Sequence, residues 1–136
     1  MKLLLDANLS PRIARAIHVL VEPDGHEVHA LVDRFPAATK DEVWLESLAA
    51  ENGWATLTFD RHIMKRPHER EAWLRSGVVV FALEPAWAKG LLPREQAARL
   101  ILWWPKLIAA FNAVEPPAAF LIPVNASSRP RQMRSV

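Results

Sequence analysis

The sequence predicts an α/β domain with a mainly parallel central sheet, and three observations lead to this prediction. Short apolar runs recur along the chain, most clearly at residues 2–5, 54–59 and 78–83. Segments with the apolar spacing of amphipathic helices lie between these runs. Strands that alternate with helices form right-handed βαβ units, and such units place successive strands parallel to one another in one sheet.

Composition narrows the class of protein further. The chain has 136 residues, of which 51% are hydrophobic and 24% are charged, so one sizeable core is expected. It contains no cysteine, which excludes disulfides, thiolate metal sites and cysteine nucleophiles. The net charge is only +2, so the overall charge by itself does not indicate a nucleic-acid-binding protein.

The sequence also carries expectations about localisation. The chain begins with a short apolar run before Asp6, far shorter than a secretory signal requires. The longest apolar-rich run, residues 100–111, is interrupted by Pro105 and Lys106 and is shorter than the roughly 20 residues that a membrane-spanning helix needs. We therefore expect a cytoplasmic protein that does not span a membrane.

The first predicted strand, residues 2–5, ends at Asp6 and is followed by a helix. Ser10 is a residue type that caps helices. Pro11 suits the first helical position, because a backbone N–H there would have no partner within the helix. Apolar residues at helical spacing continue to about residue 20, where the helix is expected to end.

The second predicted strand covers residues 26–31, where apolar and polar residues alternate weakly, and residues 33–38 are expected to form a loop. Thr39 and Glu42 then have the spacing of a capping box, in which two side chains bond reciprocally to backbone N–H groups at the start of a helix. This helix is expected to end at the turn formed by residues 52–53.

The middle of the chain contains the two clearest strands. Residues 54–59 form a predicted strand that leads directly into Asp60, and a helix is expected from Pro67 until Gly77 stops it. Residues 78–83 are continuously apolar and largely β-branched, as in a strand that is covered on both faces.

The last long helix is predicted at residues 93–114, and Pro105 is expected to kink or divide it. Residues 118–122 are expected to add one edge strand to the sheet. The composition of residues 125–136 predicts a flexible basic tail, which leaves one domain at residues 1–124.

Acidic residues follow the predicted strands at the edge where their carboxyl ends meet. Asp6 and Asp60 each come immediately after an apolar run, so both carboxylates should be partly shielded from water. Glu42 and its neighbour Asp41 open the helix that follows the second strand, although Glu42 fits a capping role equally well. Two further acids near strand ends have simpler explanations. Asp33 fits a turn residue, and Glu84 fits a solvated loop residue.

Carboxylates that are gathered at one edge repel one another unless a cation lies between them. Mg²⁺ and Mn²⁺ prefer such oxygen ligands, so the acids predict a divalent-metal site. Because a bound metal can activate water and neutralise a phosphodiester, hydrolysis of a nucleic-acid backbone is the chemistry that such a site favours.

Basic residues follow Asp60 and could hold the phosphates of a substrate. The candidates for phosphate contacts are Arg61, Lys65 and Arg66, although a solvated basic surface is the alternative interpretation. Auxiliary roles are open to three further polar residues: Asn8, Ser10 and His62. His62 is the one that could act as an acid or a base.

At these acids the chain resembles the PIN-like nucleases, specifically the compact VapC-like toxins of bacterial toxin–antitoxin systems. The motifs that carry the resemblance read LLLDANLSP at 3–11, GHEV at 25–28, DEVWL at 41–45 and TFDR at 58–61. The similarity extends over most of the chain up to Pro123. It implies a PIN-like three-layer α/β domain, a Mg²⁺- or Mn²⁺-dependent endoribonuclease that uses metal-activated water, and inhibition by a cognate antitoxin.

The resemblance also implies roles for individual residues. Asp6 matches the first acid of the family, Glu42 the second with Asp41 as its competitor, and Asp60 the third. Many family members have a further acid shortly after the third, where this chain has Arg61 and His62.

Three alternatives stay open at this stage. The first is a non-catalytic PIN-like module that binds RNA or a protein. The others are a receiver-like domain and a phosphatase-like domain, but Asp6 lacks the adjacent acid that the receiver needs and Asn8 stands where the phosphatase needs a second acid. The indoles of Trp103 and Trp104 are expected in the core or at a subunit interface. A homodimer paired through the last helix is one arrangement that would bury apolar indole surface.

Overall fold

The computed structural model describes residues 1–60 and 65–133, and its centre is a six-stranded sheet. The strand order is β2-β1-β3-β4-β5-β6. The first five strands are mutually parallel, and the sixth pairs with the fifth in the antiparallel direction. The predicted α/β class is therefore confirmed. The strands are β1 Lys2–Leu5, β2 Glu27–Ala30, β3 Trp54–Thr58, β4 Val79–Leu83, β5 Ala118–Ile122 and β6 Arg131–Met133.

Helices cover both faces of the sheet and complete three layers. The α-helices are α1 Pro11–Val21, α2 Leu31–Arg34, α3 Asp41–Glu51, α4 Pro67–Ser76 and α5 Pro93–Ala113, and short 3-10 helices occupy Glu22–Asp24 and Pro85–Ala88. Buried side chains of α1 and α5 pack on one face of the sheet, and those of α3 and α4 pack on the other. This arrangement matches the predicted three-layer domain.

Strand alternation determines which side chains meet each helical layer. Leu3 and Leu5 of β1 belong to the cluster under α1 and α5, whereas Leu4 packs with Trp44 and Trp73 on the opposite face. Because successive strand residues point to opposite faces, the position after Leu5 lies on the same side as Leu4. Asp6 therefore lies on the α3 and α4 side at the carboxyl end of β1.

The predicted start of α3 is wrong in its details. The helix begins at Asp41, its cap residue is Lys40, and Lys40 makes no side-chain cap hydrogen bond. The hydroxyl of Thr39 instead donates to the backbone oxygen of Pro36 and closes the preceding turn, so it is unavailable for a capping box. The predicted loop at 33–38 also differs, because the short helix α2 extends into it.

The end of the chain differs from the prediction in two respects. Helix α5 runs through Pro105 without being divided. Because Pro105 has no backbone N–H, the backbone oxygen of Ile101 loses its helical partner. Both residues are exposed, so water can solvate that oxygen. Strand β5 is not an edge strand, because β6 pairs with it outside the predicted domain boundary at residue 124.

Contacts from α5 hold the segment that was predicted to be a tail. The ammonium group of Lys106 donates to the backbone oxygens of Ala126 and Ser128, the second at 2.6 Å. Arg99 donates to the backbone oxygen of Val124 at 3.1 Å. These contacts and the pairing of β6 with β5 join residues 124–133 to the rest of the described chain, and the flexible basic tail stays a prediction.

The two indoles of α5 that were expected in the core or at a subunit interface differ in burial. Trp103 is fully buried in the core, and Trp104 is half-buried and packs its ring edge-on against His26. Trp103 therefore contributes core packing and offers no surface to a second subunit. The homodimer itself stays a prediction.

Within the described residues, no helix is both long and apolar enough to cross a membrane.

Candidate functional site

The strand order places a crevice between β1 and β3. The chain passes from β1 to β2 on one side and later adds β3 on the other side of β1, so the order reverses at this point. In open parallel sheets such a switch point is the usual location of a functional crevice. Asp6 follows β1 directly, and Asp60 lies two residues after β3, so both predicted acids stand at the two sides of this crevice.

Thr58 connects the two acids. Its buried hydroxyl donates to Asp6 Oδ2 at 2.7 Å and accepts from the backbone N–H of Asp60 at 2.9 Å. Asp6 is fixed further, because its other oxygen accepts from the Ala7 N–H at 2.7 Å and its own N–H donates to the Leu57 oxygen at 3.0 Å. The crevice is thus preorganised by residues at the ends of the strands.

Thr58 had no predicted role of its own, although the sequence contains a signal for it. Alternation along β3 puts residues 56, 58 and 60 on one face, the face that also bears Asp6. The register pairs Leu5 with Leu57, so Thr58 and Asp6 lie one step further along adjacent strands. A hydroxyl at that position is within reach of the first carboxylate.

The first turn of α3 adds Asp41 to the crevice. Asp41 lines the same small pocket as Asp6 and Asp60, and its Oδ1 accepts from the indole N–H of Trp44 at 3.0 Å. Glu42 is half-exposed at the next helical position and is not among the described residues that line this pocket. The structure therefore brings together Asp6, Asp41 and Asp60, and it does not place Glu42 with them.

A fourth acid, Glu69, comes from the first turn of α4. One carboxylate oxygen from each of Asp41, Asp60 and Glu69 lies within 4.8 Å of the others, a spacing that one metal ion could bridge. Glu69 was not predicted as a site residue, because its neighbours in the sequence are mostly basic. The available signal was its place in the first turn of a helix that follows Asp60 in a βα unit.

The basic residues predicted to contact phosphate are distributed differently. The guanidinium of Arg66 pairs with Asp60 and donates to Glu69 Oε1 at 2.9 Å, so it lies against the acids. Lys65, the residue before Arg66, is exposed. Arg61 and His62 lie outside the described residues.

Burial and mutual repulsion disfavour the charged forms of two acids. Desolvation raises the pKa of Asp41, and the carboxylates of Asp6 and Asp60 raise it further, while the Trp44 hydrogen bond acts in the opposite direction. Desolvation likewise raises the pKa of Glu69, and the charges of Asp41 and Asp60 add to the effect. The site therefore favours protons or another cation among these carboxylates.

Two buried oxygen atoms at the site have no hydrogen-bond partner among the described residues. They are Glu69 Oε2 and Thr56 Oγ1, and Thr56 is 2% exposed and lines the pocket below the acids. Buried polar atoms are usually satisfied by protein or by a bound species. An all-oxygen donor set with unused acceptors fits a hard divalent cation such as Mg²⁺ or Mn²⁺.

The raised pKa of Asp41 predicts a pH-dependent effect on stability. A carboxyl whose pKa is raised on folding destabilises the folded state once pH exceeds its ordinary pKa, because ionisation is easier in the unfolded chain. Asp41→Asn should therefore raise the melting temperature at pH 7 in metal-free buffer, and the gain should shrink as pH falls towards 4. Thermal unfolding followed by circular dichroism measures this effect.

Glu42→Gln is the matched control, because it removes the same charge at the neighbouring position. Its melting temperature should not rise at either pH, and it should fall slightly at pH 7 because α3 loses a favourable charge near its N-terminus. A gain at pH 7 that is equal for both variants would contradict the assignment to Asp41.

The remaining predicted polar residues of the described chain are not among those that line the acidic pocket. Ser10 caps α1 by accepting from the Arg12 N–H at 3.3 Å, and Asn8 is exposed in the preceding turn. Two acids near strand ends form ion pairs elsewhere. Asp33 pairs with Arg15 at 2.9 Å, and Glu84 pairs with Arg131 at 2.6 Å.

Comparison with known proteins agrees with this geometry. A family model described as a PIN like domain matches residues 1–85, which is more than half of the chain and includes all four acids of the site. No curated protein and no solved structure matches the chain. The chain therefore belongs to the PIN-like domain family.

Proposed function

We propose that this protein is a metal-dependent endoribonuclease. PIN domains are generally nucleases, and this chain belongs to a PIN-like family. The observation that supports the proposal best is the convergence of four carboxylates at the switch point of the sheet: Asp6, Asp41, Asp60 and Glu69. RNA as the substrate follows from the resemblance to VapC-like toxins.

In this proposal Asp41, Asp60 and Glu69 hold Mg²⁺ or Mn²⁺, since their oxygens are within 4.8 Å of one another. A divalent ion at such a site lowers the pKa of a coordinated water and offsets the charge of a phosphodiester. We assign the second acidic position to Asp41 instead of Glu42, because Asp41 lines the pocket with Asp6 and Asp60.

The other residues orient these groups. Thr58 fixes Asp6 Oδ2 through its hydroxyl and anchors the backbone of Asp60. The indole N–H of Trp44 fixes one oxygen of Asp41 and leaves the other able to face the pocket. Hydrogen bonds of this kind hold the ligand oxygens in place before the metal and substrate arrive.

We further propose that the nuclease acts as the toxin of a toxin–antitoxin pair, with a cognate antitoxin as its protein partner. The support for this role is the motif resemblance at residues 3–11 and 41–45. Induced expression in a bacterial host should stop growth, and Asp60→Asn should restore it. Continued growth with the unaltered protein at equal expression would argue against the toxin role.

Metal removal tests the nuclease activity directly. Purified protein should cleave a labelled RNA pool in Mg²⁺ or Mn²⁺, lose this activity in EDTA, and regain it when metal is restored in excess. An identically purified Asp60→Asn preparation measures contaminating ribonuclease. Equal cleavage by the two preparations would refute the proposal and favour the alternative, a PIN-like module that binds RNA or protein without cutting it.

A further inference from the structure

Arg66 already provides a cation to the acidic cluster. One guanidinium nitrogen pairs with Asp60 Oδ2, and another donates to Glu69 Oε1 at 2.9 Å. The two carboxylate side chains are 26% and 19% exposed, whereas the arginine side chain is 49% exposed. Arg66 therefore reaches from the rim of the site and neutralises two of the three carboxylates that lie within bridging distance of one metal ion.

A divalent ion and this guanidinium compete for the same carboxylates. Asp60 and Glu69 belong both to the carboxylate group suited to a metal and to the arginine contact. Placing a second cation beside the guanidinium carries a Coulomb cost that grows as water is excluded. Entry of the metal is therefore favoured when the arginine moves away.

The local structure permits this movement. Arg66 is the cap residue of α4, and its side chain makes no cap hydrogen bond. Its backbone oxygen accepts the N–H of Arg70 at 2.8 Å, so the helix start is held by the main chain and not by the guanidinium. The side chain can leave the acids without disrupting α4.

The site contains two buried oxygen atoms that Arg66 leaves unsatisfied. Glu69 Oε2 and the hydroxyl of Thr56 have no hydrogen-bond partner among the described residues, and Thr56 is 2% exposed below the acids. The pocket below the acids is lined by Thr56, Asp6, Asp41 and Asp60. The arginine therefore neutralises the rim of the site, while the deeper part is suited to a smaller ligand.

We propose that Arg66 is an internal counter-cation that a divalent metal displaces, and that the released guanidinium then binds an RNA phosphate. Guanidinium groups bind carboxylates and phosphates with the same planar fork, so one side chain can serve both states. Metal binding then strengthens RNA binding, because it releases the guanidinium. RNA binding strengthens metal binding by the same factor, because a coupling between two ligands is reciprocal. This inference rests on the proposed nuclease function.

Calorimetric titration of Mn²⁺ tests the competition. Arg66→Gln should bind Mn²⁺ about 10-fold more tightly than the unaltered protein, because the ion no longer displaces a guanidinium. Lys65→Gln is the matched control, since it removes an equal charge from the neighbouring exposed residue. Its affinity should stay within about twofold of the original.

The outcomes of this titration are distinguishable. Unchanged or weaker Mn²⁺ binding by Arg66→Gln would overturn the counter-cation role and leave the proposed metal site intact. Equal strengthening in both variants would also overturn it, because a general change in charge would then explain the effect. Absence of Mn²⁺ binding by all three proteins would overturn the metal site and this inference together.

Binding of an uncleavable RNA tests the second half of the proposal. The probe is a fluorescent 2′-O-methyl oligonucleotide, measured with Ca²⁺ and with EDTA. Ca²⁺ should strengthen binding to the unaltered protein about 10-fold and to Arg66→Gln much less. A loss of affinity in Arg66→Gln that is equal in both buffers, or absent in both, would contradict the release of the arginine.

Discussion

Asp41→Asn is expected to lower metal-dependent RNA cleavage on the order of 100-fold, whereas Glu42→Gln should stay within about twofold of the original rate. The reason is positional. Asp41 lines the pocket beside Asp6 and lies within bridging distance of Asp60 and Glu69, and Glu42 is outside this set. Initial rates on a labelled RNA in saturating Mn²⁺, corrected for the rate in EDTA, measure the difference.

The two variants control for one another. Each replaces a carboxylate by its amide at the start of α3, so the helix loses the same favourable charge near its N-terminus. Asp41→Asn can keep the hydrogen bond from Trp44, because the amide retains one oxygen acceptor. Full activity in Asp41→Asn combined with a large loss in Glu42→Gln would instead give the second acidic position to Glu42.

The positions of Asp6 and Asp60 were predictable because they depend on short-range rules. Each acid ends or closely follows an apolar strand, and parallel strands bring their carboxyl ends to one edge. Their common face follows from strand alternation alone, which also explains the contact with Thr58. No detailed side-chain packing was needed to anticipate these positions.

Whether Asp41 or Glu42 faces the crevice could not be predicted from the sequence. Adjacent helical residues differ by about 100° in direction, so the outcome depends on how the helix sits against the sheet. The capping pattern favoured Thr39 as the cap, but its hydroxyl bonds to Pro36 and the helix starts at Asp41. Loop packing before α3 decides which acid faces the crevice.

Glu69 and β6 depend on contacts between distant parts of the chain. Glu69 lies in a basic stretch, and only the packing of α4 against α3 brings it to Asp41. Strand β6 has the composition of a tail, yet it pairs with β5 and follows a segment that Lys106 holds. The composition of a segment does not indicate which distant segment it will contact, so neither contact could be predicted from the sequence.

Trp87→Ala is expected to destabilise the folded protein by about 3–5 kcal/mol, the usual cost of truncating a buried tryptophan. Trp87 is fully buried in the short 3-10 helix after β4. Its indole N–H donates to the Ile122 oxygen at 3.0 Å, and its backbone oxygen accepts from Gln96 at 2.9 Å. Urea unfolding followed by circular dichroism gives the change in the free energy of unfolding.

Trp87→Phe separates packing from hydrogen bonding at this position. Phenylalanine keeps an aromatic ring but loses the indole N–H, so the expected cost is smaller, about 1–2 kcal/mol. The Ile122 oxygen also accepts from the Glu84 N–H at 3.1 Å, so it is not left without a partner when the indole is removed. The larger cost of Trp87→Ala must then come from lost apolar contact and from the cavity between the strands and α5. Equal costs for the two variants would show that the indole hydrogen bond to β5, and not packing, accounts for the stability that Trp87 contributes.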